Sequence, residues 1–382
     1  MAEWYRVLTE PAAHRRALNS VRRRIARQAG LVSDQRFYLD SFMVAPRQDV
    51  ERLGTYAEPV NVTFKLPANG WRVTHAYPPR FVYRLSGASV DPVSNLVYDS
   101  KGEFIAESAS ALPLRRLYDW PQPRLRRPKS VLAGEYVFFP SNPSMYHWFE
   151  DLAVFLHAAS VAPEATILVA ADAINHDAGW NRRRQEVLAR FAHRNIQYID
   201  RPTRVDSLVL TAKTGGLGSP AGLETLHPED VKTIRNHFGD WLSTSQTDAC
   251  YYLSRRGFSR SPADEPELQR IAESEGFQLL QPADLTMQQQ AETFSSAAGV
   301  SGLHGAALGN ILWLPEGAGV VELFPSSRMP YMFACIAAIR GLTYRHDRYE
   351  LTVDNRMGAS FLDRARSHMA DIRPSRASGC GL

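Results

Sequence analysis

The chain has 382 residues, 44% of them hydrophobic and 22% charged, an ordinary globular composition long enough for two domains. A formal net charge of +4 is too small at this length to mark a dedicated nucleic-acid binder, so no nucleic-acid partner is expected, whereas small anions remain open as ligands. Three widely spaced cysteines (Cys250, Cys335, Cys380) give neither a disulfide framework nor a zinc site, and no apolar run of about 18 residues or signal-peptide core occurs, so a cytoplasmic, non-spanning protein is expected.

In the first thirty residues Arg15, Arg16, Arg22, Arg23, Arg24 and Arg27 surround Leu18, Val21 and Ile25 at helical spacing. Such a basic amphipathic helix fits peripheral contact with the inner face of an anionic membrane. Its narrow apolar stripe favours a surface helix docked on its own domain. From about 36 to 118, short alternating runs broken by turn residues predict an antiparallel β subdomain. It includes a hairpin of Leu96 to Tyr98 against Phe104 to Ala106, turning at Asp99-Ser100-Lys101-Gly102. Residues 119–130 carry three prolines and four cations and form a connector.

Beyond it the rhythm changes to alternating strands and helices, the pattern of a parallel α/β sheet. Strands are predicted at 135–140, 165–170, 196–199 and 207–212, with helices at 144–160 and 180–193. The glycine-rich stretch 214–222 lacks GxGxxG spacing and contains Pro220, so it is a crossover loop. A second alternation starts at 250: strands at 250–253, 277–280, 299–302, 319–323 and 342–346, helices at 264–275, 287–297, from about 304, and at 329–340. A last helix near 359–371 is expected to fold back on the first half. The expected units are an N-terminal helix and β subdomain (1–130), an acceptor domain (131–245), a nucleotide-sugar domain (246–350), and a return helix and tail (351–382), with a deep cleft between the two α/β halves.

The stretch 301–325 pairs a histidine turn with a strand bearing one carboxylate. In a parallel sheet, ligands bind where strand ends meet helix N-termini, and free amides there favour phosphate. Gly305 and Ala306 leave room for a diphosphate, His304 supplies a donor or a charge, and Asn310 lies one turn further along. Glu322, near the carboxyl end of the next strand, needs donors, and ribose hydroxyls suit it. Arg255, Arg256 and Arg260 follow the first strand of the second half, and their guanidinium forks suit phosphate oxygens. In the first half Asn142 or Ser144 caps a helix that carries His147, Glu150 and Asp151 in its first two turns. His147 and Asp151 are four residues apart on one face, the geometry of a base and its orienting partner. No GxSxG, HExxH, Walker or DxD pattern occurs, so no metal is expected and the arginines and helix ends are left to neutralise the diphosphate.

Taken in order, "SMYHWFEDL", "YLSRRGFSR", "DEPEL" and "PADLTMQQQAETFSSAAGVSGLHGAALGNILWLPEGAGVVEL" resemble glycosyltransferase family 61, over about residues 90–345 and most strongly over 250–323. The resemblance implies a GT-B architecture of two Rossmann-like domains and an inverting hexosyl or pentosyl transfer from a nucleotide sugar, a UDP-sugar first among donors. The implied acceptor is a glycan or lipid-linked glycan, in surface or capsular polysaccharide biosynthesis. By matching positions, Arg255, Arg256 and Arg260 form the basic loop, His304, Gly305, Ala306 and Asn310 the phosphate turn, Glu322 the ribose carboxylate, and His147 and Asp151 the HxxxD helix. Asp264 stands where the family commonly has asparagine, and Ser144-Met145 where it has Asn-Tyr. Asp151 is the first choice of base, with His147 orienting it, and His147 itself is the alternative. The rival functions are a nucleotide- or sugar-binding protein of the same fold without chemistry, and a nucleotide-sugar 2-epimerase, for which the second half offers few carboxylates.

Overall fold

A computed structural model describes residues 49–65, 72–77, 80–92, 95–102, 105, 128–139, 145–171, 178–212, 226–255, 261–326 and 332–374. The basic N-terminal helix, most of the 119–130 connector, the loop at 214–222, the caps Asn142 and Ser144, and Arg256 and Arg260 lie outside the described residues.

Two sheets organise the chain. The first has eight strands along the path β1 (Val50–Ala57), β4 (Arg80–Ser86), β10 (Thr203–Thr211), β7 (Ser130–Phe139), β8 (Thr166–Ala170) and β9 (Ile196–Ile199), with β5 (Ser89–Asp91) on β10 and β6 (Leu96–Tyr98) on β5. Strands β10, β7, β8 and β9 are mutually parallel. The antiparallel N-terminal strands extend this sheet, since β4 pairs with β10 and β1 with β4. Strands β2 (Val60–Lys65) and β3 (Arg72–Tyr77) form a ribbon of their own. At the expected hairpin, Gly102 N donates to Asp99 O at 3.0 Å and Ile105 N to Val97 O at 2.9 Å, which closes the turn, while Phe104 and Ala106 fall outside the described residues. Strand β8, TILVA, is apolar nearly throughout and buried over its last four residues, as a strand covered on both faces must be.

The second sheet is wholly parallel, in the order β12 (Phe277–Leu280), β11 (Cys250–Leu253), β13 (Gly299–Leu303), β14 (Gly319–Pro325), β15 (Thr343–Tyr349). Its helices are α4 (Glu265–Ser274), α5 (Met287–Ser296), a 3₁₀ helix (Ala306–Trp313), α6 (Met332–Arg340) and α7 (Ala359–Asp371). Thr286 and Gln289 close a reciprocal capping box at the start of α5, with bonds of 3.0 and 2.9 Å. Helix α7 does not return to the first half. Phe361, Ala365 and Met369 bury against β11, β14 and α4 in the core of the second sheet, because these three residues make its one apolar stripe.

The first half contributes α1 (Met145–Val161), α2 (Ala178–Ala189) and α3 (Pro228–His237). Sequence reading passes over α3, and its cap explains why. His227 takes the place usually held by serine, threonine or an acid: its Nδ1 accepts from Glu229 N at 3.0 Å, Asp230 accepts from His227 N at 2.8 Å, and Pro228 opens the first turn. Asp230, fully buried, also accepts both bonds from Arg80 on β4, at 2.7 and 2.8 Å, and one from Tyr56 on β1 at 2.9 Å. The N-terminal strands are thereby tied to α3.

One continuous apolar core joins the halves, from Val137 and Phe155 to Phe294, Val300, Trp313 and Phe333. Helix α1 and the 3₁₀ helix are its contact line. A Cβ on Gly309 would lie 3.4 Å from the Phe149 ring and 3.5 Å from the Tyr146 backbone, in ordinary van der Waals contact, so the two helices pack closely at this position. Arg235 of α3 reinforces the contact, donating to the carbonyls of Leu312 and Trp313 at 2.9 and 2.8 Å.

Candidate active site

In open parallel sheets a crevice opens where successive connections leave a sheet in opposite directions. The second sheet reverses between β11 and β13, since β11 leads through α4 to β12 on one side and β13 leads through the 3₁₀ helix to β14 on the other. The first sheet reverses between β7 and β10. Arg255 follows β11, the turn His304–Gly305 follows β13, and α1 begins five residues beyond β7, so the candidate residues sit at the two reversals.

At the second sheet's reversal, Arg255 Nη1 donates to His304 O at 2.6 Å, and its guanidinium carbon lies 3.4 Å from the position a Gly305 Cβ would take. The cation therefore spreads over the glycine backbone. The hydrogen bonds of the 3₁₀ helix start with Leu308 N, which donates to Gly305 O at 3.0 Å, so the amides of Gly305, Ala306 and Ala307 precede its ladder. His304 N is held by Leu323 O at 2.7 Å. Residues 304–307 are partly exposed, as an anion site requires. Glu265 accepts from Arg255 N at 2.6 Å and from the Ser261 hydroxyl, the described residues on either side of 256–260. Burial pushes the Glu265 carboxyl up from its ordinary range, and the Arg255 amide counters this. Asp264 beside it accepts from Met357 N at 3.0 and 2.9 Å, which ties the loop before α7 to α4.

Two sequence assignments change here. Asn310 is fully buried, and its amide braces the 3₁₀ helix from within, donating to Ala307 O at 3.1 Å. Expected one α-helical turn beyond Ala306, it is turned aside because 3₁₀ winding eclipses residues three apart. Glu322 is also fully buried, and both its carboxylate oxygens meet protein groups: Oε1 lies 2.5 Å from His304 Nδ1, and Oε2 accepts from the Tyr344 hydroxyl. In this arrangement its oxygens are turned to the histidine and the tyrosine, not outward to a ribose.

On the facing side, α1 is buried along nearly its whole length. His147 keeps 13% of its side chain exposed, while Glu150 and Asp151 keep 1% each, and His147 Nδ1 lies 4.0 Å from Glu150 Oε2. Of the three, His147 is the group that reaches the surface. The two reversals meet through tilted and edge-to-face ring contacts: His304 to Phe333 at 5.5 Å, Phe333 to Tyr146 at 5.5 Å, and Tyr146 to His147 at 5.4 Å.

Among the described residues, no group of three or more His, Cys, Asp or Glu is arranged to hold a metal ion, and no helix is long and apolar enough to cross a membrane. Glu265 and Tyr344 escape sequence reading. Glu265 had a signal, its place in "DEPEL" just after the arginine loop, whereas Tyr344 acquires its role only through the pairing of β15 with β14.

The two sheets thus bring a turn bearing Arg255 and His304 to one side of the junction and the His147 helix to the other. The model of the family described as Glycosyltransferase 61 matches residues 145–321, from the first residue of α1 to the middle of β14. On that match the chain carries a glycosyltransferase family 61 domain, which supports a glycosyltransferase enzyme. No curated protein matches the chain.

Proposed function

We propose that the chain is an inverting glycosyltransferase of GT-B type, moving a sugar from a nucleotide-sugar donor to a glycan acceptor by one in-line displacement. The observation that carries this reading is the junction of the two reversals, where His304, beside Arg255 and the amides of Gly305 to Ala307, is linked to His147 by three successive ring contacts.

The donor's diphosphate lies over Gly305. As the bond from the anomeric carbon to the phosphate oxygen breaks, negative charge grows on the leaving group, and Arg255, His304 and the preorganised amides receive it. The acceptor hydroxyl approaches from the α1 side, loses its proton to His147, and attacks the opposite face of the anomeric carbon. Exposure favours His147 as the base, with Glu150 as its charge partner, and Asp151 as part of the buried support.

The test is proton NMR of reactions containing UDP-, GDP- or dTDP-sugars and oligosaccharide acceptors. The reading expects transfer from one donor, with the anomeric configuration reversed in the first product formed. Retained configuration rules out the single displacement.

A further inference from the structure

Resting on that reading of the site, we propose that Glu322 and Tyr344 form a buried clamp that fixes the orientation of the His304 ring at the edge of the diphosphate site. Both act through His304 and are positioning residues for donor binding.

Three observations support the clamp. First, Oε1 of Glu322 lies 2.5 Å from His304 Nδ1, and Oε2 accepts from Tyr344, so the carboxylate links the two rings. Second, Glu322 is fully buried, and a buried carboxylate is stable only with hydrogen-bond partners on it; the imidazole and the phenol serve as those partners. Burial and the adjacent carboxylate hold the Tyr344 hydroxyl well above the ordinary tyrosine range, so it stays a donor. Third, the position is set by sheet register. Glu322 pairs with His346 across β14 and β15, Tyr344 stands two residues before His346 on the same strand, and Phe333 packs on the His304 ring. With Nδ1 engaged by the carboxylate, Nε2 is the nitrogen left for a ligand. The Tyr344–Glu322 pair lies beyond the residues matched by the family model, which end at 321.

The experiment is a double-mutant cycle read by calorimetry, with UDP, GDP and dTDP as probes on the full chain. In the wild-type background, Glu322→Gln is expected to weaken binding of the recognised diphosphate about 10-fold or more and Tyr344→Phe about 3- to 10-fold, as loss of a bond in a charged network does. In a His304→Ala background neither substitution is expected to cost anything further. Losses that add in full in that background overturn the clamp. The 2′-deoxy analogue of the recognised diphosphate adds a second arm: Glu322→Gln is expected to leave the preference for the ribose form unchanged, and loss of that preference returns Glu322 to the ribose and overturns the proposal.

A third arm needs no ligand. With ¹⁵N-labelled histidine, Nδ1 of His304 is expected to show a strong hydrogen bond to a carboxylate in the wild type and to lose that signature in Glu322→Gln. An unchanged spectrum overturns the clamp even if the variants bind poorly. A wild-type chain that binds none of the three diphosphates overturns the transferase reading, and the nitrogen spectrum then decides the clamp on its own.

Discussion

At the residue scale, burial decides between groups that sequence treats as equals. His147, Glu150 and Asp151 share the first two turns of one helix, yet only His147 keeps appreciable exposure. His147→Gln is therefore expected to reduce transfer by about 10²- to 10⁴-fold while leaving the donor dissociation constant unchanged, measured by initial rates and by titration. Asp151→Asn is expected to keep most of the transfer at a cost in melting temperature. The reverse pattern restores Asp151 as the base. Sequence brought Arg255, His304, Gly305 and Ala306 to one place because each directly follows a strand, and strand ends share an edge. The orientation of Glu322 was not legible, since it depends on Tyr344, a partner brought alongside only by the β14–β15 pairing.

At the element scale, the junction of α1 with the 3₁₀ helix positions both sides of the proposed chemistry, and Gly309 lies in it. A Cβ there already touches the Phe149 ring and the Tyr146 backbone, so the further methyl groups of a β-branched side chain are expected to crowd the junction. Gly309→Val is expected to destabilise the chain by about 1–3 kcal/mol, read by denaturant unfolding, and to lower turnover more than donor affinity. Wild-type stability and rate in this variant contradict the role given to the junction. The alternation of strands and helices was readable because buried parallel strands are short apolar runs between amphipathic helices. Helix type after β13 was not: local sequence does not separate 3₁₀ from α winding, and that difference carried Asn310 from the site into the interior. Helix α3 was missed because a histidine performs the capping.

At the scale of the whole molecule, the shared core and the Arg235 bonds make the two sheets one packed body. The buried histidines couple that body to pH. Burial lowers His157, His237 and His346 below the ordinary value of 6.5, and Arg190 lowers His237 further. With the folded value depressed, the unfolded chain binds more protons as pH falls below 6.5, so their contribution is complete above 6.5 and is lost as pH drops through the folded value. His237 stacks on Phe191 at 5.3 Å, near the end of α3. His237→Gln is expected to flatten the dependence of stability on pH just below 6.5, by up to about 1.4 kcal/mol per pH unit. An unchanged slope shows that this ring takes up its proton without unfolding cost.

The central claim, that the turn after β13 holds the donor's diphosphate, is tested most directly by titrating UDP, GDP and dTDP into the wild-type chain and into His304→Ala. One nucleoside diphosphate is expected to bind the wild type, with its affinity at least about 10-fold weaker in the variant, as loss of a side chain that contacts the phosphate requires. Equal affinity in the two proteins contradicts the claim.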